Sequence, residues 1–74
     1  MPKRHVVLTT FGLNVRRRRE ARQLTQKALA EKSDLHPTYV SGIERGVRNP
    51  SLLIVARIAK GLATSVSGLT RGVN

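Results

Sequence analysis

Residues 25–45 read TQKALAEKSDLHPTYVSGIER, which predicts two short helices joined by a tight turn. Thr25 is a favoured N-cap for the first of these helices, and Ser33 and Asp34 favour a turn at its end. His36 and Pro37 open the second helix, because proline at the first helical position loses no backbone hydrogen bond. The second helix then exposes short polar groups, a surface that suits entry into the major groove of a DNA duplex.

The rest of the chain also reads as helical, so the predicted fold class is all-α. A helix is expected from just after Thr10 to about Gln23, and another is expected after Ser51. A short fifth helix is predicted at Ser65, which would cap it. The apolar stripe of the fourth helix is expected to hold four residues with Ile58 beside them, namely Leu52, Val55, Ala59 and Leu62.

Two large apolar residues of the fourth helix fall outside this stripe. Leu53 and Ile54 would then stand side by side on the surface. Exposed apolar pairs of this kind indicate a partner surface, and the alternative is a core wider than the stripe. The sequence therefore predicts a partner surface on this helix.

The chain is strongly basic. Its 74 residues hold 14 Lys and Arg against 4 acidic residues, for a formal net charge of +10. Such an excess should attract a polyanion, with nucleic acid the first candidate and an anionic membrane surface the rival. The run of arginines at residues 16–19 covers all sides of a helix, so only part of it can reach one DNA backbone, with Arg17 among the candidates for phosphate contact.

Composition also argues against several classes of function. The absence of cysteine excludes disulfides and thiolate metal sites, and the histidines show no metal-ligand spacing. No apolar run approaches the roughly 20 residues of a membrane span. We therefore expect no enzyme, metal, cofactor, small-molecule ligand or membrane partner, and a cytoplasmic, nucleoid-associated protein. Residues 1–8 are interpreted as a flexible basic arm, and residues 9–74 as a single domain.

The ordered pattern LTQ..LAEKS.L...Y.SGIERG.RNPS, residues 24–51, resembles the Cro/C1-type (XRE) helix-turn-helix family. Within that family the chain is most similar to controller proteins of restriction–modification systems, although phage-type and antitoxin-type repressors share much of the pattern. The resemblance implies a compact five-helix lambda-repressor-like domain with its helix-turn-helix at residues 25–45. It also implies a homodimer on a pseudo-palindromic site in double-stranded DNA.

The resemblance assigns roles to individual positions. Gln26 would bind a phosphate at the start of a helix, and Arg19 with Glu44 would form a structural ion pair. The recognition-helix positions are Pro37, Thr38, Tyr39, Ser41 and Gly42. The positions expected past that helix, mainly against phosphates, are Arg45, Arg48 and Asn49. The expected dimer contacts are Leu53, Ile54, Arg57, Val66 and Leu69.

Two positions depart from the pattern of controller proteins. Pro37 replaces a side chain that often donates to a base, and Gly42 offers only its backbone. Direct reading of bases is therefore expected to be sparse, with Arg48, Thr38 or DNA shape carrying more of the specificity.

These expectations describe a regulator whose two recognition helices enter successive major grooves, about 34 Å apart. Contact with RNA polymerase would allow activation, and overlap with its site would repress. Two other readings are weaker. A membrane-active peptide needs an unbroken amphipathic helix, and an RNA-binding module needs more aromatic residues than one Phe and one Tyr.

Overall fold

The computed structural model describes residues 5–74, and this part of the chain consists of five helices without a strand. The helices are α1 (Val6–Ala21), α2 (Gln26–Ser33), α3 (Pro37–Glu44), α4 (Leu52–Gly61) and α5 (Val66–Leu69). The all-α, five-helix prediction is confirmed. Residues 1–4, which belong to the predicted basic arm, lie outside the described residues.

Four of the helices begin at a side-chain cap that satisfies an otherwise unpaired backbone amide. The predicted helix starts at residues 25, 36, 51 and 65 are confirmed. The caps Thr25, His36, Ser51 and Ser65 accept hydrogen bonds from the amides of Ala28, Thr38, Ile54 and Gly68 at 3.0 to 3.2 Å.

The turns that follow α2 and α3 rely on left-handed backbone. Asp34 ends α2 at φ 55°, a conformation that aspartate tolerates better than most residues. Gly46 follows α3 at φ 74°, where a side chain would be strained. The two turns fix the angle at which α3 leaves α2 and the direction in which the chain runs on to α4.

The core lies between the helices, with α3 packed on α1 and α2, α4 on α2, and α5 on α1 and α4. Gly12 lets α1 approach α3 closely, since a Cβ there would lie 2.7 Å from the carbonyl oxygen of Glu44. The buried hydrophobic residues are Phe11, Val15, Leu29, Ala30, Val40, Ile43, Val55, Ile58, Ala59, Leu62 and Leu69.

The start of α1 differs from the prediction. The helix begins at Val6, not after Thr10, and residues 6–8 of the predicted arm are helical. No side chain caps this end. Val7 and Leu8 line an apolar depression together with Phe11. Packing of this first turn therefore outweighs the weak helix propensity of valine and threonine.

The apolar stripe of α4 begins one turn later than predicted. Leu52 is 74% exposed, so its place in the core was wrong, whereas Ile58 is fully buried. Ile54 is half-buried and packs against the core. The N-cap Ser51 places Leu52 at the end of the helix, beyond the last layer of core side chains, so the exposed pair is Leu52 and Leu53.

No helix in the described part of the chain is both long and apolar enough to cross a membrane.

Candidate nucleic-acid interface

The second helix of the helix-turn-helix, α3, is anchored by one apolar face and exposes the other. Val40 and Ile43 are buried between α1 and α2, which turns the opposite side of the helix outward. Thr38 and Arg45 are exposed there, and Ser41 is half-buried. The result is a short polar helix standing on the surface, with Pro37 at its first position.

Gly42 lies one turn after Thr38 on the outer side of α3, but the residue itself is buried. Its assignment as a recognition position stays a prediction. Arg48, from the loop after α3, lies across it, since a Cβ on Gly42 would be 2.6 Å from Arg48 Cγ. The guanidinium carbon of Arg48 stands 5.7 Å from the centre of the Tyr39 ring, within the range of a cation–π interaction. Glycine here provides the space in which Arg48 lies flat against α3.

A network of charge-assisted hydrogen bonds fixes the orientation of α3. Arg19 of α1 donates through Nε and Nη2 to the two carboxylate oxygens of Glu44, at 2.7 and 3.0 Å. Gln26 of α2 donates to Glu44 Oε1 at 3.0 Å. Arg19 also donates to the carbonyl of Leu24 at 2.8 Å, so the network joins α1, the α1–α2 turn, α2 and α3.

The two charged side chains of this network are largely shielded from water. The Glu44 side chain is 3% exposed and the Arg19 side chain 14% exposed. The hydrogen bond with Glu44 raises the pKa of Arg19 above its ordinary value, against an opposing effect of burial. Arg19 and Glu44 therefore form the ion pair that the family resemblance implied.

A polar cavity of about 280 Å³ opens where α1, α2 and α3 meet. We call it the basic cleft, and its lining residues are Arg16, Arg19, Gln26, Ser41, Glu44 and Arg45. One amide hydrogen of Gln26 is used by Glu44, and the second remains available to a ligand. The cleft therefore gathers cationic and neutral donors beside the exposed face of α3.

Arg16, which the sequence reasoning missed, is the residue of the arginine run that borders this cleft. It makes only an exposed contact with Glu20, at 3.4 Å. Arg17 lies instead at a cavity between α1 and α5, on the side of α1 away from the basic cleft. Neighbouring helical residues point about 100° apart, so four consecutive arginines had to divide between different surfaces. In the structure, Arg16 and Arg19 share the side of α1 on which Gly12 faces α3.

The loop between α3 and α4 carries the remaining predicted donors. Arg48 and Asn49 are both exposed, at the side of α3 away from the basic cleft. Val47, directly after Gly46, is also exposed. Cationic side chains thus flank α3 on two sides, from the cleft and from this loop.

An apolar patch lies at the start of α1 and of α4. We define it by Val6, Val7, Leu52 and Leu53, which are 74%, 37%, 74% and 64% exposed. The two helix starts are neighbours, because Val7 and Pro50 line the same apolar depression of about 150 Å³.

The predicted dimer residues fall into different environments. Leu53 and Arg57 are exposed, and Val66 is half-buried. Ile54 packs partly against the core and leaves only an edge for a partner. Leu69 is fully buried within the chain, which corrects its assignment to an interface, because it fills the space beneath α5.

Comparison with known proteins identifies the group to which this arrangement belongs. A family model described as helix-turn-helix matches residues 15–69. The chain is 43% identical over 60 residues to the control protein C.BamHI of Bacillus amyloliquefaciens, covering 80% of this chain and 74% of that protein. It superposes on the restriction–modification controller C.AhdI of Aeromonas hydrophila with a TM-score of 0.86 and 38% identity, over 88% and 98% of the two chains.

A second solved controller shows the DNA that such a protein binds. The C.Esp1396I tetramer, in complex with its natural 35 base-pair operator, matches this chain with a TM-score of 0.79 and 38% identity. The match covers 82% of this chain and 80% of that one.

Proposed function

This chain belongs to the Cro/C1-type (XRE) helix-turn-helix family, and from that membership we propose that it is a sequence-specific transcriptional regulator of the restriction–modification controller type. The observation that carries the proposal is the outward polar face of α3, flanked by arginines and held rigidly by the Glu44 network. Its family and its controller relatives are DNA-binding regulators rather than enzymes.

One group of the proposed phosphate contacts lies at the basic cleft. Arg16 and Arg45 border it with side chains largely exposed, so both can turn toward a DNA backbone. Gln26 is the first residue of α2, where backbone amides and the helix dipole favour an anion, and its free amide hydrogen adds a donor. These contacts would set the position of the protein on the duplex and much of its affinity.

On the other side of α3, Asn49 and Arg48 extend the contact to the backbone beyond the groove. Thr38, Ser41 and Tyr39 face the groove with hydroxyl groups that bond either bases or phosphates. Arg48 is the one of these side chains able to form the bidentate contact with guanine. We therefore assign sequence selection mainly to Arg48 and Thr38, supplemented by the shape of the DNA.

The working unit of the proposal is a homodimer that pairs through the apolar patch, with Arg57 and Val66 at its margin. Leu52 and Leu53 would insert against their equivalents, removing two exposed leucines of each chain from water. Binding to a pseudo-palindromic operator requires that the two-fold axis place the two α3 helices about 34 Å apart. Each mismatched base pair should cost on the order of 1–3 kcal/mol.

Regulation would follow from protein concentration and operator position. A dimer bound beside a promoter would contact RNA polymerase and activate, and a dimer bound over the promoter would repress. Such a regulator acts on the nucleoid, in the cytoplasm.

The test is selection of bound duplexes from a random pool, followed by measurement of the binding stoichiometry. We expect an enriched site with two-fold symmetry, half-sites about 10 base pairs apart and two chains per site. Enrichment of no sequence, with binding that depends only on duplex length, would contradict the proposal. An asymmetric site that binds one chain would support DNA recognition but contradict the proposed homodimer.

A further inference from the structure

A second cationic surface lies between α1 and α5, away from the candidate DNA interface. This α1–α5 groove has a volume of about 490 Å³. Its lining residues are Thr10, Asn14, Arg17, Arg18, Ala21, Gly68 and Arg71. Three of these seven side chains carry a positive charge and none carries a negative one. The acidic residues of the chain all precede residue 45, so nothing in the C-terminal segment offsets the charge.

The groove and the basic cleft occupy opposite sides of α1. At about 100° per residue, the five α1 residues of the groove fall within an arc of roughly 100°. Gly12, Arg16 and Arg19, which face α3, lie on the other side of the helix. The groove therefore opens on the side of α1 that faces away from α3.

The groove is preformed by hydrogen bonds between its two walls. Asn14 Nδ2 donates to the carbonyls of Leu69 and Arg71 at 3.0 and 2.8 Å. Arg18 Nη2 donates to the carbonyl of Gly68 at 3.3 Å. Arg18 keeps further donors for a ligand, since a guanidinium has five. Arg17 and Arg71 are exposed and make no ion pair within the described residues.

The length of the groove favours an extended ligand over a small anion. The α1 residues that line it run from Thr10 to Ala21, a rise of about 16 Å, which equals about five residues of extended peptide. The hydrogen bond from Asn14 places the backbone of Arg71 beside Asn14. Asn14 in turn lies about one turn of α1 before Arg17 and Arg18. Carboxylates at alternate positions of an extended peptide are about 7 Å apart on one side, a spacing that long arginine side chains can match.

We propose that the α1–α5 groove binds an extended acidic segment of a partner protein, with alternate Glu or Asp side chains paired to Arg71 and to Arg17 with Arg18. This function goes beyond DNA binding and gives the regulator a protein-binding surface that stays accessible while α3 occupies the operator. The partner is defined by its chemistry, a peptide with carboxylates at every second position.

The experiment measures binding of a labelled peptide of roughly twelve residues that alternates Glu and Ser, by fluorescence anisotropy with the full chain. A Gln–Ser peptide of equal length controls for nonspecific contact. Arg17→Ala with Arg71→Ala should weaken the Glu–Ser peptide about tenfold, through the loss of two exposed charge contacts. The matched pair Lys32→Ala with Lys60→Ala removes the same charge from exposed positions outside the groove, and should leave peptide binding within about twofold.

Operator affinity is measured on the same variants. The groove pair, Arg17→Ala with Arg71→Ala, should change that affinity by less than about twofold. Equal weakening of the peptide by both pairs would overturn the proposal, because general charge would then explain the binding. Loss of operator affinity with the groove pair would identify a second DNA surface and also overturn it. Full displacement of the peptide by inorganic phosphate would show a site for small anions, with the same consequence.

The wild-type chain provides an independent readout. Added Glu–Ser peptide should shift the backbone amide resonances of Gly68 and Ala21, which line the groove, and leave that of Thr38 on α3 unmoved. Shifts confined to α3 would contradict the proposal whatever the variants do.

Discussion

Glu44 accepts hydrogen bonds from α1 and α2 while its own helix carries the exposed polar face. Its partner Arg19 has a raised pKa, so the stabilisation that Arg19 gains is complete below its unfolded-state pKa. That stabilisation is lost only as the pH rises through the still higher folded-state pKa. Arg19 therefore adds no pH dependence to stability near neutrality.

Removing the acceptor should be costly. We expect Glu44→Ala to lower the free energy of unfolding by about 3 kcal/mol, because it leaves the largely buried Arg19 without its carboxylate partner and Gln26 without its acceptor. Urea denaturation measures the effect, with the exposed Glu31→Ala as the control, expected within about 0.5 kcal/mol of wild type. Equal stability of the two variants would show that the pair does not anchor α3.

A substitution at Gly42 should affect operator binding more than stability. Gly42→Ala should push Arg48 off the face of α3, because the new Cβ would overlap Arg48 Cγ at 2.6 Å. We expect operator affinity to fall about tenfold or more, while helix propensity offsets much of any packing cost to stability, by up to about 1 kcal/mol. Operator titration and thermal unfolding measure the two effects.

The control for that substitution is the same change made in an Arg48→Ala background. If Gly42 acts through Arg48, Gly42→Ala should then have little further effect on operator binding. An undiminished loss of affinity would instead assign the effect to the backbone of α3.

At the scale of the helices, the sequence predicted local features better than positions set by packing. The caps at Thr25 and Ser51 were found because capping depends on the few amides that follow. The start of α1, by contrast, depends on tertiary structure, since Val7 lines an apolar depression together with residues more than 40 positions away. Leu52 and Ile54 exchanged environments for a related reason, since the register of an apolar stripe depends on where the neighbouring helices end.

In the candidate site, too, local features were predicted and features set by packing were not. The residue types on α3 were evident from its sequence, and the family resemblance supplied the Arg19–Glu44 pair. Gly42 could not be recognised as buried, because the side chain that covers it comes from the following loop. Arg16 could not be separated from Arg17 without knowing which side of α1 faces α3.

The four-residue helix α5 depends on α1 for its position. We expect Asn14→Ala to lower stability by about 1–2 kcal/mol, because the two carbonyls that Asn14 bonds lose their donor. Hydrogen exchange should accelerate most at residues 66–73. Arg17→Ala, an exposed change on the same helix, is the control and should leave that exchange unaltered, whereas uniform acceleration across the chain would argue against a local role.

The apolar patch provides the corresponding test for α4. Leu52→Glu with Leu53→Glu should give a folded monomer, because both side chains are exposed and their charges would repel their equivalents across a two-fold interface. Sedimentation measures the mass, and circular dichroism measures the fold. Lys60→Glu lowers the net charge by the same amount from another exposed position and should remain dimeric. A dimeric leucine variant would place the interface elsewhere.

For the whole molecule, the charge of +10 makes operator binding sensitive to salt. If a dimer neutralises about six to ten phosphates, log K should fall with log salt concentration at a slope of about −5 to −9. Removing one phosphate contact per chain by Arg45→Ala should reduce the magnitude of that slope by about 2 for the dimer. Titrations between low and moderate salt measure both, and a nearly flat dependence would contradict a phosphate-based interface.

The bonds that Glu44 receives have a kinetic consequence. Because α3 is already fixed to two other helices, it needs no folding or rearrangement when it meets its target. Complex formation therefore loses little conformational entropy. The association rate should then be set by diffusion and long-range electrostatic attraction, and differ little between operator and random duplex. Discrimination would appear almost entirely in how long each complex lasts, which makes residence time the quantity that determines which promoters this protein controls.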